Sequence, residues 1–401
     1  MRSASMVNRV TSRCWMGVVV LVLNGLSPHA GGAQVPLALR PPQSGMGPRL
    51  TVRPTVEPIP VQAHGRLHLV YELLLASFDS RELRVDKLEV FPDRSRRPLA
   101  SYNSSELARV LFRAGDTLGA PNPHQIAVGT HVIAYMWVAL DSAAQAPSSL
   151  SHRLTIVAVE GAREDTTSLE TVSVPVSRDL PVVIGPPLRG GPWFANNAPS
   201  NDSRHRRVLI PFGGELRLSQ RFAFDLVRYR GDSSGLPDPA TYGSEVLAVA
   251  DARVAEVIDG IPENWAPPQR PASRDARAVP MTPATARGNV VVLELAPRKF
   301  AHFAHLQPGS IRVKQGDRVR RGQVLGLLGN SGNSTGPHLH FQVSDTLGTS
   351  GHGLPFVFDA FEVFAIAPQR PDWRAHVVWF PPGTGKRRNE MPLHRWAIRF
   401  P

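Results

Sequence analysis

The sequence predicts an all-β protein with two strand-rich regions in series, and three observations carry that expectation. Apolar residues come in short alternating runs, and outside one stretch near 105–112 no helical period is sustained. Proline (38) and glycine (33) punctuate these runs, while charged residues make up only 19%, a mix that suits turn-rich β structure. Hydrophobic residues reach 42%, enough to build packed cores, and 401 residues are enough for two or three domains.

In chain order, Arg2, Arg9 and Arg13 precede an apolar run at 15–26 and a small-residue region at 29–33. Residues 1–33 therefore read as a secretory signal peptide, an uncleaved anchor being the alternative. The apolar run is short for an ordinary membrane span, and no transmembrane span is expected after it. Cys14, inside that segment, is the only cysteine. An exported chain would then hold neither a disulfide nor a thiolate metal site, so any metal must be held by His, Asp or Glu.

Residues 34–60 form a Pro-rich linker. Strand-like runs at 64–75, 82–91, 131–140, 154–159 and 171–176, separated by turn signals, predict a β-sandwich over 61–180, immunoglobulin-like in the broad sense. A Pro/Gly-rich boundary occupies 179–206. The second region, 190–347, carries strand patterns at 207–210, 221–227, 245–248, 253–258, 289–295 and 299–305. A Pro/Ala/Arg-rich insertion at 259–287 reads either as a roof over a groove or as a solvated loop. Residues 348–401 read as a loop-like C-terminal extension, with strand candidates at 354–358 and 377–380 and a tail that wraps the surface.

The formal net charge is +12, three units of it within the first 33 residues. Arginines cluster at 204, 206 and 207, at 318, 320 and 321, and at 387–388 beside Lys386. For an exported chain the matching partners are anionic envelope polymers, the alternative being solubility alone. No aromatic interleaving or nucleic-acid motif accompanies the arginines, so no nucleic-acid partner is expected.

Chemistry concentrates in GNSGNSTGPHLHF, residues 329–341. His338 and His340 are two apart, so on a strand their side chains share a face roughly 6–7 Å apart. One imidazole can hold a metal while its neighbour faces the same water; a bare H-x-H is more often simply a His pair on a half-buried strand. The Gly/Ser/Asn run before it turns tightly and brings backbone close to a ligand.

Taken with FAHFAHL (300–306) and VKQGDRVRRGQVLGLLGNSG (313–332), the motif resembles the lysostaphin-like zinc endopeptidases of bacterial cell walls over about 210–345. The resemblance implies a mixed β-sheet/barrel domain of the duplicated hybrid motif type behind the β-sandwich. It implies Zn²⁺ as cofactor and peptidoglycan cross-linking peptides as substrate. It places a metal ligand at His340, catalytic imidazoles at His338 and His305, and a carboxylate ligand at Asp225 within SQRFAFD. An active protein of this kind would be an exported zinc metalloendopeptidase, periplasmic or extracellular.

One position departs from the pattern. Where the resemblance calls for a histidine four residues before Asp225, the chain has Arg221. A guanidinium has no lone pair to offer and repels a cation. Asp225 and His340 alone are one ligand short of the three usual in catalytic zinc sites. His205 and His302 are candidate substitutes. The alternative is a degenerate metal site, in a module that binds peptidoglycan or activates a hydrolase without cutting. An imidazole within reach of Asp225 and His340 favours the enzyme; an Arg221–Asp225 ion pair favours the module.

Overall fold

The computed structural model describes residues 47–366 and 385–401, except 94, 114–121, 142–144, 172, 229–237 and 266–275. The expected signal segment, residues 34–46 of the expected linker, the middle of the 259–287 insertion and the strand candidate at 377–380 lie outside the described residues. Residues 47–401 cluster as one compact unit.

In the N-terminal half, Arg66–Ser77 pairs with Leu50–Pro54 and His131–Leu140 in one antiparallel sheet. Glu82–Pro92, Ser149–Glu160 and Arg163–Glu170 form a second. Side chains of both sheets meet in one apolar core: Leu69, Tyr71 and Leu73 face Leu83, Val85 and Leu88, with Val132 and Met136 beside them. The helix Ser104–Val110 starts at a capping box in which Asn103 accepts from the Glu106 N–H and Glu106 reaches back to the Asn103 N–H.

Arg66–Ser77 reads as alternating and then continuously apolar because both of its faces are buried. Leu69, Tyr71, Leu73 and Leu75 point into the sandwich core. Val70 points the other way, into the core of the second region, together with Val61 and Ala63. Glu72 shares that outward face and is fully buried. The first sheet thus serves as the floor on which the second region rests.

The second region is dominated by a ten-stranded sheet. Its order is Arg318–Val319, Ala252–Ile258, Asn289–Ala296, Lys299–Leu306, Leu339–Ser344, Phe224–Val227, Trp193–Asn196, Trp396–Arg399, Phe361–Ile366 and Gly385–Arg387. Phe224, Phe303 and Phe341 stack beneath the central strands, with Phe224–Phe341 and Phe303–Phe341 centroids 5.7 and 5.1 Å apart.

Residues 348–401 correct the loop-like expectation. Phe361–Ile366 and Trp396–Arg399 extend the main sheet, and Phe356–Phe358 pairs in parallel with Val182–Ile184. Val363 and Ile398 are fully buried in the shared core. The individual strands are too short for their alternation to stand out among the surrounding Pro, Gly and Arg. The strand expected at 207–210 is likewise displaced: His205–Arg207 is a 3-10 turn, and the strand begins at Ile210.

Candidate metal centre

The register of three strands sets the site. Asp225 on Phe224–Val227 lies opposite His340 on Leu339–Ser344, which in turn lies opposite Ala304 on Lys299–Leu306. His305 follows at the end of that last strand with φ of 64°. For a residue with a Cβ this left-handed backbone costs about 1–2 kcal/mol. It is held by the His305 N–H donating to the Arg287 carbonyl at 3.0 Å.

Three side chains from separate parts of the chain then converge. His205, Asp225 and His340 each offer one donor atom within 4.8 Å of the others, the one such grouping among the described residues. His340 Nδ1 is 3.1 Å from Asp225 Oδ1, and His205 Nε2 is 3.4 Å from Oδ2. Ligands about 2.0–2.1 Å from a tetrahedral ion lie about 3.3–3.4 Å apart; the two imidazoles approach different oxygens of Asp225, so the three groups surround a space of cation size with one donor atom each within 4.8 Å. The His205 and His340 ring centroids are 4.8 Å apart and nearly perpendicular.

Neighbours fix which nitrogen of each ring is free. His340 Nδ1 lies 3.1 Å from Asp225 Oδ1 and Nε2 lies 3.1 Å from Gln342 Oε1; with a cation on Nδ1 the ring's proton would sit on Nε2 and donate to Gln342. His305 Nδ1–H donates to the Ser331 carbonyl at 2.8 Å, and His338 Nδ1–H to the Gly336 carbonyl at 2.8 Å. Each therefore turns Nε2 away from its backbone acceptor. His338 Nε2 is 3.3 Å from Asp225 Oδ1, and the His305 and His338 rings are 4.8 Å apart. Asn197 Nδ2 donates to Asp225 Oδ2 at 2.8 Å and fills the last side of the carboxylate.

Burial and charge push these groups apart. Burial lowers the His205 imidazole to about 4, more than Asp225 raises it. Burial, with His338 and His340 nearby, takes His305 well below the usual histidine range. Burial opposes the charged form of His338 too, but Asp225 outweighs it and the balance is raised. Burial would raise the Asp225 carboxyl, yet His205 and His338 hold it well below the carboxylate range.

The glycine-rich turn is packed too closely for side chains at two of its positions. A Cβ on Gly332 would sit 2.3 Å from the Gly288 nitrogen, and one on Gly329 would sit 2.6 Å from the Gln307 nitrogen. The described ends of the 259–287 insertion secure the same turn: Asn264 Nδ2 donates to the Gly332 and Ser334 carbonyls at 2.8 Å. Asn330 in turn donates to the Trp265 carbonyl.

His205, one of the two candidate substitutes, stands with Asp225 and His340; His302 does not. His302 is buried on the neighbouring strand with Nε2 2.7 Å from Ser344 Oγ. Arg221 is neither an edge-strand surface arginine nor a partner of Asp225. It is buried and paired with Glu72 of the sandwich, its Nε 3.0 and 3.1 Å from the two carboxylate oxygens. Arg206 is also fully buried against Glu72, and Arg207 lies over the Phe112 ring, so of the 204–207 cluster only Arg204 is exposed. The sequence reading missed Asn197, Gln342 and Glu72. Only Gln342 left a signal, as a polar residue two positions after His340 on the same strand face.

Comparison with known proteins gives a family match for part of this β-sheet region: residues 232–350 match peptidase family M23. The matched span contains His305, His338 and His340, while Asp225 lies 7 residues and His205 27 residues before it. The chain is 45% identical over 56 residues to the peptidoglycan DD-endopeptidase ShyA of Vibrio cholerae, covering 14% of this chain and 13% of that protein. It is 52% identical over 40 residues to the glycyl-glycine endopeptidase ALE-1 of Staphylococcus capitis, covering 10% of each. The alignments thus span only a small part of these curated relatives. The catalytic domain of lysostaphin from Staphylococcus simulans is 18% identical, covering 41% of this chain and 88% of that one, with a TM-score of 0.22, too low to carry argument. Among the described residues no helix is long and apolar enough to cross a membrane.

Proposed function

We infer that the chain is an exported zinc metalloendopeptidase that hydrolyses peptide bonds in bacterial cell-wall peptidoglycan. The observation that carries this reading is the convergence of His205, Asp225 and His340 beside two further imidazoles. Two imidazoles and a carboxylate, without thiolate, form a donor set suited to a catalytic zinc with an open position. His205 supplies the third ligand in place of Arg221. A zinc ion there would supply a Lewis acid that activates water and polarises a peptide carbonyl.

The chain's own groups do the rest. His305 is kept neutral by burial, and with Nδ1–H committed to Ser331 its Nε2 is the natural proton acceptor. His338, biased toward its charged form by Asp225, donates a hydrogen bond to the developing oxyanion and a proton to the leaving amine. The Ser331–Gly336 turn brings backbone alongside an extended, glycine- or alanine-rich peptide. The substrate class rests on the relatives, which include peptidoglycan DD-endopeptidases and a glycyl-glycine endopeptidase.

The test is to purify the chain from residue 34, measure bound zinc, and assay cleavage of cross-linked muropeptides beside His340→Ala. No zinc above that control and no cleavage removes the enzyme reading. Cleavage that survives in His340→Ala removes this site.

A further inference from the structure

The third ligand sits on a turn that the N-terminal sandwich holds in place. His205, Arg206 and Arg207 are consecutive residues of one 3-10 turn, and their side chains go to three places. His205 faces Asp225 and His340. Arg206 leaves in another direction and lies against the outward face of the first sheet, where it is fully buried. Its Nη2 donates to the Met136 carbonyl at 2.8 Å, the Tyr71 carbonyl at 3.1 Å and Glu72 Oε1 at 3.3 Å. Asn201 closes the remaining side by accepting from Arg206 Nη1. A guanidinium with this many fixed acceptors has essentially one orientation, and that orientation fixes the backbone one residue away.

Glu72 engages the other half of the site as well. It accepts from Arg221 through both carboxylate oxygens, and Thr55 Oγ1 donates to it at 3.0 Å. Arg221 begins the segment that runs into the Asp225 strand. One buried carboxylate on the outward face of the first sheet therefore ties down the turn bearing His205 and the segment leading to Asp225.

We propose that Glu72 and Arg206 are positioning residues for the metal centre, so that the ligand set is complete only while the sandwich is docked. This rests on the proposed zinc site. It assigns the N-terminal domain a role in assembling the centre, and it explains how a chain with arginine at the usual ligand position can still present three donors. A purely structural role for the Glu72 cluster would stabilise docking without changing how tightly a folded protein holds metal.

The experiment compares wild type, Glu72→Gln, Arg206→Lys and His205→Ala as the whole chain from residue 34, each at a temperature where circular dichroism shows it folded. Zinc affinity is read by competition with a chromophoric chelator, and ligand geometry from the visible spectrum of the Co²⁺ form. Glu72→Gln and Arg206→Lys are expected to weaken zinc by about 10–100-fold and to alter the Co²⁺ bands. In the His205→Ala background, Arg206→Lys should add no more than about a 2-fold change, because its route to the metal runs through the His205 turn alone. Folded variants that bind zinc as wild type does overturn the inference, as does a full additive loss in the double variant. Should Glu72→Gln or Arg206→Lys not fold, Arg206→Gln and Glu72→Asp take their places, and unchanged affinity in a folded variant of either residue overturns it equally. Wild type that binds no zinc sinks the proposed function instead, so the two failures are distinct.

Discussion

Two buried carboxylates a short way apart in this fold have opposite company. Glu72, in the sandwich, is enclosed by the guanidiniums of Arg206 and Arg221. Asp225, in the second region, is enclosed by the imidazoles of His205, His338 and His340. Burial would raise both acids, and in both the neighbours reverse it. The partners differ in kind. A guanidinium is permanently charged and has no lone pair, so Glu72 can only be a fixed structural counter-ion. An imidazole can be neutral and can donate a lone pair, so Asp225 sits where a cation can replace protons. Arg221, which looks like damage to a metal site from sequence, belongs to the first carboxylate and not the second.

The largest effect expected from breaking this contrast is at Asp225. Asp225→Ala leaves two imidazole ligands, and zinc per molecule should fall to the His340→Ala background with muropeptide cleavage below detection. Elemental analysis and turnover check this together; stoichiometric zinc in Asp225→Ala would erase the distinction between the two acids. Next comes His338→Ala, which should keep its zinc while losing about 10²–10⁴-fold in kcat, the usual weight of a positioned proton-transfer group. Loss of zinc in this variant would move His338 from proton handling into the ligand set.

Stability should show the reverse order. Glu72→Ala strands two buried guanidiniums and is expected to cost about 3–5 kcal/mol. Asp225→Ala in metal-free protein leaves imidazoles that can shed their charge, and its cost should stay near 1 kcal/mol. Denaturant midpoints of the two metal-free variants against wild type measure the difference. Equal losses would mean the imidazole cage is as rigidly charged as the guanidinium one.

How much of this was legible follows from where each interaction lives. His338 and His340 were readable because a strand's period of two and the glycines around it are local properties. His305 and Asp225 needed the wider resemblance but stayed within one sheet. The choice between His205 and His302 was not readable. His302 is closer to the motif along the chain, yet its strand position commits it to Ser344. His205 reaches the site only because Arg206 finds carbonyls and Glu72 in a sheet more than 60 residues earlier. Burial of arginines has no sequence signature, so RHRR reads as a surface cluster. The late strands of the main sheet were hidden for a related reason: their partners, such as Trp193–Asn196, lie about 200 residues away.

The subtlest expected effect concerns the tautomer of His340, a requirement that Glu72 and its arginines do not share. A guanidinium presents the same donors whatever surrounds it, whereas His340 ligates through Nδ1 only if the proton stays on Nε2. Gln342 Oε1 is the acceptor that holds it there. Gln342→Leu removes the acceptor with little change in volume, and zinc affinity should fall by about 10-fold, the low end for partners of metal-ligating histidines. Gln342→Glu keeps an acceptor and strengthens it, so affinity should equal or exceed that of wild type. Chelator competition on the two variants separates orientation from packing: similar losses in both would mean that Gln342 merely fills space. A loss confined to Gln342→Leu would mark the strand face beyond the H-x-H as part of what makes Asp225, unlike Glu72, a site for a cation.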